Sequence, residues 1–214
     1  GMKIFELDNP GLISPEKMIL EGISLSIKEG EHLTITGPSG SGKSSLLKLL
    51  AALVSPSSGQ LFYRGQDLGV LDPVAYRREV SYCFQQPVLF GQTVRDNMVF
   101  PFEIRQIPFD QERILSALAR LNLGPEFLDK PIKDLSGGEK QRLALVRNLL
   151  FEPKVLLLDE VSSGLDEKTK ILLRAFLKDL HQEGVTLIEV THDQQEIEAA
   201  ERLVTIVGGR LAHE

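Results

Sequence analysis

Gly37-Pro38-Ser39-Gly40-Ser41-Gly42-Lys43-Ser44 is the stretch from which the fold of this 214-residue chain can be read. A glycine, then Gly-Lys after four residues, then Ser or Thr, is the pattern of a phosphate-cradling loop. Glycines let the backbone enter φ > 0 turns and bring several N–H groups onto one anion. Lys43 is expected against the outer phosphates of a nucleoside triphosphate, and the Ser44 hydroxyl on a Mg2+ that bridges them; Ser45 follows as a further phosphate contact. A helix starting here adds the partial positive charge of its N-terminus. The flanks agree. Residues 31–36 alternate polar and apolar like a strand, and Leu46, Leu47, Leu50 and Leu53 recur at helical spacing through residues 45–54.

Hydrophobic residues make up 42% and charged residues 25% of the chain, the balance of an ordinary soluble domain. A formal charge of −6 implies no basic surface for nucleic acid. The single cysteine, Cys83, excludes an internal disulfide and, among apolar neighbours, is expected buried in a strand. No apolar run reaches the length of a membrane span, and the N-terminus lacks a signal peptide's features, so a cytosolic chain is expected. Gly1 before Met2 has the look of a removed tag, with the natural start at Met2.

Short runs with period-two character at residues 4–7, 18–20 and 23–27 predict β structure ahead of the loop, with Phe5 in the core. A turn cluster at residues 55–59, a strand at 61–63 and a turn at 64–66 predict a return to antiparallel strand. A short helix over 73–79 and an apolar strand over 80–84 follow. From residue 87 to 150, prolines punctuate segments that read as helices, the clearest being residues 110–121, and predict a helical subdomain inserted between strands of the core. Beyond it, Val155-Leu156-Leu157-Leu158 is a continuous apolar run, the mark of a strand buried on both faces, ending in Asp159-Glu160. Helix 167–182, strand 186–190, helix 194–201 and strand 203–207 complete an alternation that argues for a mostly parallel sheet.

A second motif, Leu135-Ser136-Gly137-Gly138-Glu139-Lys140-Gln141-Arg142, contains an S-x-x-E capping box at the head of an amphipathic helix. One polar cap would suffice, and two glycines are costly in a first turn. A serine hydroxyl with bare amides at a helix N-terminus makes a second phosphate site.

Taken in order, residues 37–44, Gln85, residues 135–142, 156–160 and 163–166, and His192 resemble the nucleotide-binding subunit of an ATP-binding-cassette (ABC) transporter. The resemblance covers essentially the whole chain, and the octapeptide with both Walker motifs is far more specific than either Walker motif alone. Residues 81–97 and 142–148 are similar to the ATPase subunits of bacterial iron-export systems within that family. The resemblance implies an α/β P-loop NTPase fold: a RecA-like core with an antiparallel β subdomain, residues 1–86 and 151–214, and the helical subdomain, residues 87–150, carrying the signature. It implies hydrolysis of ATP to ADP and phosphate. The strand before Asp159 is expected beside the phosphate-loop strand. That would let Asp159 hold Mg2+ through water and Glu160 act as general base on the attacking water. Gln85 is implied as a ligand to Mg2+ or that water; Gln86 is adjacent, and Leu89-Phe90 favour Gln85. His192 is implied to contact the γ-phosphate and hold Glu160 and water in line. Ser136, Gly137, Gly138 and Asp166 are implied to complete the site from a second copy of the chain.

Two departures stand out. Family members commonly stack an aromatic ring on adenine upstream of the loop, whereas residues 9–14 here hold none, leaving Leu12 or Ile13 for apolar contact. Gly164 stands where Ala is frequent, which implies a more flexible loop between the two copies. The implied partner is a separate integral membrane permease, which places the chain on the cytoplasmic face of the inner membrane. Val88, Leu89, Phe90, Val99, Phe100 and Phe102 form either the surface that receives it or the subdomain's own core. A soluble ABC ATPase of DNA repair or translation is the competing reading. It is disfavoured by the acidic charge and by the lack of a long coiled coil or a second cassette. A nucleotide kinase or GTPase would leave residues 135–142 unexplained.

Overall fold

The computed structural model describes residues 1–14 and 17–213. Alternating residues near the N-terminus build a small antiparallel sheet. Strand β1 (Lys3–Ile13) pairs with β3 (Leu25–Lys28) and β5 (Ser58–Tyr63), while β2 (Met18–Leu20) folds back on its far end and β6 (Gln66–Asp67) continues beyond β5. Phe5 is fully buried there, its ring centroid 5.3 Å from that of Tyr63.

The main sheet has six strands in the order β11-β10-β4-β9-β8-β7. Strands β4 (His32–Thr36), β7 (Val80–Cys83), β8 (Val155–Asp159), β9 (Thr186–Val190) and β10 (Arg202–Val207) run parallel, and β11 (Arg210–His213) is antiparallel to β10. Every residue of β8 and β9 is buried, as two covered faces require. Their side chains alternate between two hydrophobic clusters. On one face Leu157 and Ile188 pack with helix α1 (Lys43–Leu50), α2 (Pro73–Glu79) and the small sheet. On the other, Leu156, Leu158 and Leu187 pack with α3 (Val94–Ile104), α4 (Gln111–Arg120), α5 (Gly137–Leu149) and α6 (Glu167–Gln182). Helix α7 (Gln194–Glu198) follows β9. Cys83 is buried, as expected, and burial pushes its thiol up to about 12.

Helix starts follow local chemistry. Asp72, Thr93, Asp110, Ser136, Asp166 and Asp193 each cap a helix by accepting from a backbone N–H, and Thr93 and Ser136 complete capping boxes with Asp96 and Glu139.

The sheet order departs from expectation. Strand β8 does not lie beside β4, because β9 intervenes, paired with β8 from Val155↔Thr186 to Asp159↔Val190 and with β4 from His32↔Leu187 to Ile35↔Val190. Motif order along the chain carries no record of this insertion. The α6 crossover sets β9 directly against β8, and β4 takes its free edge. Strand β11 is also unanticipated; it is made by the two-residue turn Gly208-Gly209, both at positive φ.

One charged group sits inside the sheet. Glu189 of β9 is 2% exposed and meets His32 Nε2 at 2.9 Å and Arg174 Nη1 at 3.0 Å. Burial pushes its carboxyl up, but His32 and Arg174 outweigh that and hold it below the usual range. Such a depressed acid stabilises the fold above its unfolded pKa of about 4.3, and the contribution is lost as pH falls through the lower folded value. Glu189→Gln should therefore cost about 3 kcal/mol at pH 7 in urea denaturation, with the gap to wild type closing below about pH 4. A gap that persists unchanged to pH 3 would contradict the ion pair.

Candidate functional site

At the end of β4 the chain turns through Gly37 at φ 146, where an added Cβ would lie 2.0 Å from the Ile206 carbonyl oxygen of β10. Gly42, at φ 102, is the N-cap of α1, and a Cβ there would meet Leu20 Cδ2 at 2.7 Å and the Ile19 carbonyl at 3.0 Å. These two glycines let the loop sit tight between β10 and β2. No side chain caps α1, so its first amides stay bare for an anion. Lys43 folds over the loop, Nζ donating to the Gly37 carbonyl at 2.7 Å and the Pro38 carbonyl at 2.8 Å. Burial draws its pKa down while Glu160 and Asp159 pull it up. The Gly208-Gly209 turn braces the loop from outside: Gly209 N–H donates to the Ser41 carbonyl, and the Gly209 carbonyl accepts from Glu21 N–H.

The cleft over this loop, about 380 Å³, is lined by residues 39–45 with Lys17, Ile19, Glu160 and His192. Leu12 and Ile13 do not line it. Leu12 packs on the core edge and pairs with Leu20, and Ile13 is exposed with its N–H on Ser57 Oγ. Lys17 and Ile19 do line it, and no sequence motif marks them.

Although β9 separates their strands, Ser44 Oγ donates to Asp159 Oδ1 at 3.0 Å. Tyr82 of β7 donates to Asp159 Oδ2 at 2.5 Å, and burial together with that carboxylate drives the phenol's pKa strongly up. Tyr82 escapes sequence reasoning because it belongs to no motif and arrives only through the β7–β8 pairing. Glu160 leaves the strand at φ 51, a left-handed conformation uncommon for a non-glycine residue, its N–H bound to the Val190 carbonyl at 3.0 Å. That turn lifts its carboxylate to His192, Nε2 to Oε1 at 2.6 Å. Gln85 lies exposed just past β7, its amide 3.5 Å from Ser163 Oγ.

No three His, Cys, Asp or Glu side chains converge among the described residues. The convergent pair is a hydroxyl and a carboxylate, an all-oxygen set that suits Mg2+, which keeps few protein ligands and completes its shell with phosphates and water.

The remaining motif residues gather elsewhere. Ser136 and Gly137 are exposed at the head of α5, where Ser136 Oγ accepts from Glu139 N–H and Glu139 returns the bond to Ser136 N–H. Gly138 lies against Thr169, to which a Cβ would come within 3.3 Å, so the heads of α5 and α6 are neighbours. Asp166 caps α6 there, its carboxyl held below the usual range by Thr169. None of Ser136, Gly137, Gly138 or Asp166 lines the loop cleft. The structure thus makes two groupings: residues 37–45 with Asp159, Glu160 and His192, and Gln85 near them through Ser163; and, apart from these, residues 136–138 with Asp166.

A glycine phosphate loop at a strand end, facing an acid pair across a parallel sheet, defines the class of P-loop ATPases. Residues 20–163 match the family model described as ABC transporter, and the chain belongs to that family. It is 46% identical over 204 residues to the probable iron export ATP-binding protein FetA of Escherichia coli (strain K12), covering 95% of this chain and 91% of that protein. It is 39% identical over 213 residues to the spermidine/putrescine import ATP-binding protein PotA of Spiroplasma citri, covering 97% of this chain but 60% of the relative. Among solved structures it is similar to the ATP-binding cassette MJ0796, in a dimeric post-hydrolysis state bound to ADP and Pi, with TM-score 0.88 and 29% identity over 98% of this chain and 97% of the other. The chain is an ATP-hydrolysing subunit of an ABC transporter.

Proposed function

We propose that two copies of this chain close around ATP and that hydrolysis reopens them, driving transport through a separate membrane permease. The observation that carries the reading is the separation of the two groupings: Ser136, Gly137, Gly138 and Asp166 present an exposed helix-head surface away from the loop cleft, and a second copy can lay it over that cleft. Residues 37–45 then bind the phosphates and Lys43 the outermost of them. Ser44 and Asp159, with Gln85 at the rim, hold Mg2+, which when bound neutralises phosphate charge. Glu160 takes the proton of the attacking water, and His192 holds the Glu160 carboxylate and reaches the γ-phosphate. Adenine rests on the apolar edge where β1 meets β2, with Leu12 and Ile13 from one strand and Ile19 from the other.

The cargo we assign is a metal ion moved outward, on the likeness to the iron-export relative; other relatives import polyamines or sulfate, and the permease selects the cargo. The permease holds the subunit at the cytoplasmic face of the membrane. It docks in a groove of about 340 Å³ in which Val88, Phe90 and Phe100 remain exposed, whereas Phe102 is core and Leu89 packs against it. Arg77, Arg78, Arg105 and Arg147 also line this groove, and none of the four pairs with a carboxylate among the described residues. An apolar segment carrying an acidic side chain fits it.

Glu160→Gln should bind ATP, accumulate as a dimer in size-exclusion chromatography and lose turnover by about a thousandfold; a monomer with ATP bound would refute the closure. Ser136→Arg should keep single-chain nucleotide affinity yet fail to dimerise, and an unchanged ATPase rate would exclude its role across the dimer. Arg105→Glu should abolish co-purification with the membrane partner while the isolated chain's ATPase rate stays within about twofold, since the groove lies outside the cleft.

A further inference from the structure

Behind the hydrolytic pair lies a buried polar knot made by no recognised motif. Glu196, in the first turn of α7, is 7% exposed. Its Oε1 accepts from Ser162 Oγ at 2.6 Å and from Thr191 Oγ1 at 2.8 Å. Ser162 lies two residues after Glu160, on the loop leaving β8. Thr191 immediately precedes His192, on the loop leaving β9. Both hydroxyl-bearing residues are buried, at 5% and 3% exposure. The other oxygen, Oε2, forms an ion pair with Arg174 Nη2 at 2.5 Å, outside hydrogen-bond angles, and Arg174 Nη1 is anchored in turn on Glu189 of β9. Asp193 fixes the backbone of the same turn, accepting from Glu196 N–H while its own N–H donates to Thr191 Oγ1.

A buried carboxylate is costly, and a hydrophobe of equal volume would seat α7 as well. What the carboxylate adds is one oxygen accepting from two different loops at once. We propose that Glu196 is a positioning residue for hydrolysis, holding Ser162 and Thr191 on a single oxygen and so fixing the loops from which Glu160 and His192 meet. The proposal rests on the reading of Glu160 and His192 as the hydrolytic pair. A small displacement of either group is felt in the chemical step rather than in binding, because the phosphate loop is held separately by α1, β10 and β2.

Steady-state ATPase kinetics of the full chain with Mg2+ and ATP test this. Glu196→Ala should lower kcat about tenfold with KM for ATP within about twofold. Glu196→Gln, whose amide oxygen still accepts both hydroxyls, should recover to within about threefold of wild type. Ser162→Ala and Thr191→Val should each lower kcat about threefold, and neither should add to Glu196→Ala, since all remove the same tie. If Glu196→Ala does not accumulate folded, the two single-hydroxyl variants carry the test. Wild-type kcat in the folded variants, full additivity, or a Gln variant no better than Ala would overturn the proposal. Glu160→Gln run alongside separates the two readings: if it still turns over, the hydrolytic pair is wrong; if it is dead while the Glu196 and Ser162 variants are unaffected, only the tie is wrong.

Discussion

The 3.0 Å contact between Ser44 Oγ and Asp159 Oδ1 joins two pieces of chain more than a hundred residues apart, and the site depends on it. Ser44 belongs to the first turn of α1 and Asp159 to the last residue of β8, with the whole of β9 between their strands. The hydroxyl can reach the acid only if α1 leans across the sheet rather than staying over its own strand. The apolar face of α1, with Leu46, Leu47 and Leu50 fully buried, packs in one cluster with Leu157 and Ile188 of β8 and β9 and holds it there. Non-directional burial thus sets the rough position of α1, and a directional bond refines it.

The two faces of the sheet divide the work. One carries the phosphate loop, the small antiparallel sheet and the edge assigned to adenine. The other carries α3 to α6, hence the exposed heads of α5 and α6 and the arginine-lined groove. Strand β8 belongs to both, since Leu156 and Leu158 point to one cluster and Leu157 to the other. Helices α3 to α5 therefore share a core with the main sheet, so the segment proposed to meet the permease and the strand that carries the acids are packed against each other directly.

Much of this was legible from residues alone, where local chemistry decides the outcome. Asp72-Pro73 starts α2, Asp166 starts α6, and the apolar run before Asp159 is the buried strand it looks like. What was not legible depends on pairing between distant segments. The place of β9 between β4 and β8 is written in no local pattern, nor is β11, whose short sequence carries no strong alternation. The same holds for side chains. Glu160 and His192 could be picked out because each lies just past a strand within a motif, whereas Tyr82 and Glu196 find partners that only the folded chain brings within reach. Leu12 and Ile13 were read from their distance along the chain to the loop, and the residues that line the loop cleft beside them, Ile19 and Lys17, come from the far side of the bend between β1 and β2 and carry no motif.

The intervening strand has a consequence of its own. Along the carboxyl edge of the sheet the chain sets out, strand by strand, the phosphate loop after β4, His192 after β9, Asp159 and Glu160 at the end of β8, and Gln85 after β7. Neighbouring strands lie about 4.8 Å apart, so the loop strand and the acid strand stand roughly 10 Å from each other. Side chains bridge that span, Ser44 reaching Asp159 and His192 reaching Glu160. The sheet acts as a ruler: hydrogen-bonded spacing measures across this edge. Register measures along the strands, since a slip of one residue would move a group by about 3.3 Å and turn it to the opposite face.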